Sequence, residues 1–80
     1  MFKVTRYCVQ VFERERPPDA ARQFRDRGAA LFAGRLAARR ALGVAVYEVE
    51  GEPVQDLWGE PKMIAQYGYL PEAADTFAFT

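Results

Sequence analysis

The sequence predicts a small α+β domain, with a single helix on one face of a three- to four-stranded, mainly antiparallel sheet. Three observations carry this. A β-branched and aromatic run opens the chain, an alanine-rich segment occupies the middle, and two further apolar runs bounded by glycine and proline follow. The expected order is ββαββ, or βαββ if the second strand is absent.

Residues 2–12 (FKVTRYCVQVF) contain no glycine or proline and read as a strand. Both of its faces are partly apolar, so neither is cleanly solvated. The charged run at 13–16 and then Pro17-Pro18-Asp19 form a loop, because proline cannot donate to a sheet ladder.

Residues 20–42 admit two readings. One continuous helix from Asp19 would place Arg35 within its apolar face, a poor amphipathic pattern. The favoured alternative makes Arg22-Gln23-Phe24 a short return strand and starts the helix after Asp26, whose carboxylate suits an N-cap. Ala29, Phe32, Ala33, Leu36 and Ala37 then share one face, Arg35 and Arg39 point away, and Arg39 and Arg40 fall in the last turn. Gly43 supplies the C-terminal stop.

Residues 44–50 (VAVYEVE) are the clearest strand, and 62–67 (KMIAQY) are another, entered through Pro61 and left through Gly68. The Gly-Glu-Pro triplets at 51–53 and 59–61 are turn chemistry bracketing the loop between them. Sheet order 2-1-3-4 makes every neighbouring pair antiparallel and keeps the crossover right-handed. One helix covers one face only, so apolar residues among Tyr7, Val9, Tyr47 and Met63 are expected on an uncovered face. Such a patch favours a second copy as partner, through the open face or an edge strand. The tail, 71–80, carries Phe77 and Phe79 and is expected to dock.

Eighty residues make one domain, 1–80, and half of them are apolar, enough for a folded core. The single cysteine, Cys8, excludes an internal disulfide and so a disulfide-held secreted scaffold. No apolar run is long enough for a signal peptide or a membrane span, and a cytoplasmic setting is expected.

The net charge is zero but unevenly spread. Residues 1–42 carry ten basic side chains and four acids, a net of +6; residues 43–80 carry one lysine and seven acids, a net of −6. The expectation is that basic helix and acidic hairpin neutralise each other within the fold or between chains. The alternative is a basic face of Arg22, Arg25, Arg27, Arg35, Arg39 and Arg40 for nucleic acid, with Tyr7, Phe12, Tyr67 and Tyr69 stacking bases. An isoelectric point near 6.2 and the lack of any nucleic-acid-binding signature weigh against it.

The chain has no histidine, serine or asparagine. Ser-His-Asp chemistry is therefore absent, and one cysteine without histidine cannot form a structural zinc site. No phosphate-binding glycine loop is present. Glu48 and Glu50 share a strand face and, with Glu52, could at most make a weak cation site or an acid–base pair. The expectation is no enzyme, no cofactor and no metal. Trp58, the only tryptophan, sits between turn signals and serves either as a binding anchor or as a cap on a thin core. Tyr47, Tyr67, Tyr69, Phe77 and Phe79 join it as candidate partner-binding residues.

The run 43–53 (GVAVYEVEGEP), followed by 59–68 (GEPKMIAQYG), resembles the second half of short uncharacterised bacterial proteins. These have a first strand, an alanine-rich helix, a G-V-x-V-[YF] strand and a last strand ending near glycine and proline. The resemblance spans about residues 4–71. It implies that fold and no activity, so no functional residue is carried over. The function expected is a small non-catalytic protein-interaction or adaptor module acting as a homodimer, and the alternative is a small nucleic-acid-binding regulator.

Overall fold

The structure, a computed structural model, describes residues 3–14 and 21–70. The Pro17-Pro18 loop, Arg16 and the 71–80 tail with Phe77 and Phe79 lie outside those residues. The elements run β1 (Val4–Phe12), β2 (Arg22–Phe24), α1 (Arg27–Ala37), β3 (Gly43–Glu52), β4 (Leu57–Trp58) and β5 (Lys62–Gly68). One helix packs on a mainly antiparallel sheet in an α+β fold. The strand order is β2-β1-β3, with β4 and β5 sharing the far edge of β3.

The break before α1 has a local cause. Asp26 has an extended backbone, and its Oδ2 accepts the Ala29 N–H at 2.7 Å. This satisfies one of the orphan donors of the first turn and fixes the helix start. The chain upstream is then free to return beside β1, with Tyr7 opposite Phe24 and Val9 opposite Arg22.

The sheet alternates with period two, and both of its faces are apolar. Val9, Val44 and Val46 lie under α1 around Ala30, with Tyr7, Val11, Phe24 and Tyr67 at their margin. On the reverse face Cys8, Phe12, Ala45, Tyr47 and Val49 form a second cluster, against which Ala21, Trp58 and Leu70 pack. The register Cys8↔Tyr47 and Val9↔Val46 fixes which residues share a face.

The helix comes close to the sheet through small residues. Ala30 and Gly34 are its buried positions, and Ala33, Ala37, Ala38 and Ala41 are partly buried around the same cluster. A β-carbon on Gly34 would stand 2.8 Å from Val46 Cγ2. The face expected from the sequence is therefore rotated. Phe32 and Leu36, expected to point inward, are 57% and 48% exposed, because bulky side chains would hold the helix off the sheet.

Four further expectations need correction. The helix ends at Ala37 and turns through 38–40, so Arg39 and Arg40 follow it, and Arg35 is the basic residue of its last turn. Gly43 begins β3 rather than ending the helix; it faces Gly68, and a β-carbon there would collide with the Tyr69 carbonyl. β3 runs on to Glu52, and a tight turn at 53–56 returns the chain as β4, where a loop was expected. Finally, the sheet face away from the helix is largely closed, although Met63, opposite Tyr47 on β5, is exposed as expected. Tyr47 is 5% exposed and Cys8 fully buried within one chain. Val9 is buried too, but under the helix. Tyr7 and Val9 thus lie on the opposite face from Tyr47.

Candidate interaction surface

Rotation of the helix creates the surface of interest. Phe24 on β2 and Ala29, Phe32, Ala33, Leu36 and Ala37 on α1 line an open groove between strand and helix, with Arg22 at its wall. Positions 29, 32/33 and 36/37 recur at helical spacing, so the apolar stripe runs about 12 Å along the axis. Arg22 is held over the Phe24 ring, with its guanidinium carbon 5.3 Å from the centroid.

The groove continues at Leu36 into a depression lined by Arg39 and Arg40. Arg25 is exposed in the β2–α1 connection. Among the described residues no acidic side chain lines either hollow, although Glu13 shares an adjoining one with Arg14 and Arg40. Asp26 is committed to capping.

Among the described residues the expected neutralisation of the two halves is seen where Arg27 Nη1 lies 3.3 Å from Glu48 Oε2 on the solvent side. Lys62 stands opposite Glu48 across the β3–β5 ladder. Arg35, Arg39 and Arg40 make no ion pair with any described residue, so that end of the helix keeps its positive field.

The aromatic candidates fall in different places. Tyr47 is inside the reverse-face cluster, and Tyr67 is half-buried at the edge of the helix-side cluster, close to Gly34. Tyr69 is exposed just beyond β5. Trp58 packs on the reverse-face cluster opposite Gly51, where any β-carbon would strike the indole ring. Its Nε1 donates to Asp56 Oδ1 at 3.0 Å. The geometry is that of a core cap. The candidate tyrosines and Trp58 are thus not brought together into one site. Phe24, Phe32 and Leu36, which the sequence reading did not select as surface, do come together. The signal that could have found them is the stripe of small residues at 30, 34, 37 and 41, which marks the docking side of the helix and so displaces larger neighbours.

The remaining chemistry-bearing groups have structural roles. Cys8 is fully enclosed, and burial pushes its thiol up to about 11. Glu52 is buried, and its Oε2 accepts the Gln55 N–H at 2.6 Å, holding the turn between β3 and β4. Asp56 takes a positive φ of 53° in that turn, a conformation aspartate tolerates. Among the described residues no cluster of carboxylates, cysteine and histidine could hold a metal ion, and no helix is long and apolar enough to cross a membrane.

Comparison with known proteins adds no assignment, since no family model, curated protein or solved structure matches the chain.

Proposed function

We propose that the chain is a non-catalytic protein-interaction module of the cytosol whose docking surface is the α1–β2 groove. The observation that supports it is the exposure of Phe32 and Leu36 beside Phe24, on a chain with a buried cluster on each face of its sheet. A small domain that closes its core yet leaves two large apolar side chains adjacent in one groove has a surface suited to a partner. The test is photocrosslinking from Ala29 or Leu36, each replaced by a benzophenone amino acid, with the protein in extract of its own cell. A discrete adduct from these positions and none from an equivalent probe at exposed Val54 supports the reading. Equal labelling from all three positions, or none, removes it.

The module is further proposed to act as a homodimer through an edge strand, one of the two contacts expected. The reverse sheet face is largely enclosed, and the arginine rim would face itself across a two-fold axis at the groove. The outer edge of β5 from Ala65 to Gly68 is the better place, having no partner strand other than β3 among the described residues. Sedimentation equilibrium giving twice 9.1 kDa supports it, and a strict monomer at millimolar concentration removes it.

Nucleic-acid binding stands as the second reading, favoured by Arg35, Arg39 and Arg40, which form no ion pair with a described residue. Against it, Tyr7 and Tyr67 pack at the margin of the helix-side cluster and Phe12 is buried, leaving Tyr69 as the exposed ring among the four stacking candidates.

A further inference from the structure

We infer that the α1–β2 groove takes an acidic segment of a partner protein, one that presents two large apolar side chains about one helical turn apart between or beside its carboxylates. This rests on the reading of that groove as a docking surface and adds what occupies it.

Two features of the groove define the occupant. The first is its floor. Phe24, Phe32 and Leu36 offer ring and branched-chain surface, while Ala29, Ala33 and Ala37 leave room between them. Phe32 and Leu36 are one helical turn apart, so the spaces flanking them repeat at about 6 Å, the spacing of i,i+3 or i,i+4 side chains on a bound helix. A groove of about 12 Å receives two such anchors, one in each space.

The second feature is the charge around it. Arg22 forms a wall, Arg39 and Arg40 close one end through the shared Leu36, and Arg25 lies at the strand end. Among the described residues neither hollow has an acid in its lining, and α1 itself carries none in its sequence RGAALFAGRLA. An apolar segment flanked by lysine or arginine would meet like charge at Arg22, Arg39 and Arg40. A segment with aspartate or glutamate beside its anchors gains charge-assisted contacts that guanidinium groups form well in pairs. The same field speeds encounter and makes binding sensitive to salt. A second copy docking groove to groove would bring arginine rims together, so the partner is a different surface.

Three fluorescein-labelled twelve-residue peptides test this by anisotropy against the full chain. The first carries Phe and Leu four residues apart, with glutamates at the flanking positions. The second has the same anchors with every glutamate replaced by lysine. The third keeps the glutamates and replaces both anchors by alanine. A labelled twelve-nucleotide single strand is the fourth probe. The expected result is saturable binding of the first peptide, at least tenfold weaker binding of the second and third, and at least tenfold weakening of the first between 50 and 300 mM salt. Arg39→Glu/Arg40→Glu should reverse the preference between the first two peptides, and Phe32→Ser/Leu36→Ser should abolish both. Circular dichroism and the melting temperature of each variant establish that it is folded. Equal binding of the first two peptides, lost in Phe32→Ser/Leu36→Ser, overturns the acidic occupant and leaves the docking groove standing. Binding unchanged in that variant, or no peptide binding at all, overturns both. Tight binding of the oligonucleotide with none of the acidic peptide overturns the inference in favour of nucleic acid.

Discussion

Gly34 on α1 faces Val46 on β3 so closely that a β-carbon at position 34 would lie 2.8 Å from Val46 Cγ2. Val46 is fully buried and β-branched, with little freedom to move aside. This approach seats the helix on the sheet, and it also turns Phe32 and Leu36 outward. Fold and candidate surface therefore share one cause.

Gly34→Ala sets two effects against each other. Alanine favours a helix over glycine by about 1 kcal/mol. Overpacking a close-fitted contact costs about 1–3 kcal/mol. The contact distance is below any that real β-carbons adopt, so overpacking wins. Urea unfolding should show a net loss of about 1–2 kcal/mol. In Gly34→Ala/Val46→Ala the loss should fall short of the sum of the two single losses, since the removed methyls relieve the overlap.

Phe32 and Leu36 should behave as surface residues. Phe32→Ser and Leu36→Ser should each change stability by about 1 kcal/mol or less, whereas truncation of a buried core residue costs about 2–5 kcal/mol. Thermal melts of the two variants check this directly. Losses of core size would place these side chains inside the fold.

Asp26 sets the boundary between β2 and α1. Asp26→Ala should destabilise the chain by about 1 kcal/mol, and Asp26→Asn, which keeps an acceptor for the Ala29 N–H, by a few tenths. Chemical denaturation of the pair, read at 222 nm, separates the capping oxygen from the charge.

Cys8 gives a pH dependence of defined sign. Its folded thiol is raised to about 11, from an ordinary value of 9.0, by burial. The unfolded chain therefore releases this proton first as the pH rises. The associated stability is intact below about pH 9 and is lost progressively up to about pH 11. Denaturation midpoints measured from pH 8 to 11 should fall more steeply for the natural chain than for Cys8→Ala. At pH 8 the native thiol should react with a disulfide reagent only as fast as the protein opens, and immediately in denaturant.

Much of this fold is legible in the amino-acid order. The proline-free run of β1, the extended β3, the Asp26 cap, the return strand at 22–24 and Gly68, with its positive φ of 71°, each carry a local signature. The face of the helix does not. An alanine-rich helix has several nearly equivalent apolar stripes, and which one docks is settled by how closely Val44 and Val46 allow it to approach, a property of packing between distant segments. The closed reverse face was equally hidden, because strand alternation tells that Cys8, Ala45 and Tyr47 share a side but not that this side is enclosed. Trp58 was readable in kind, as a cap or an anchor, and the tertiary pairing with Gly51 decides for the cap. The candidate groove was missed for the same reason as the helix face, since its residues join only once that face is known.

The central claim is that the docking surface is the apolar groove between α1 and β2 and not the reverse face of the sheet. Anilinonaphthalene sulfonate suits it as a probe, being a flat apolar anion. Its titration into the isotope-labelled native protein, followed through backbone amide shifts, locates the site without a natural partner. Saturable shifts centred on residues 22–25 and 29–40, absent in Phe32→Ser/Leu36→Ser, are the predicted result. Shifts centred on Cys8, Ala45 and Tyr47 instead, or persisting in that variant, would contradict the account.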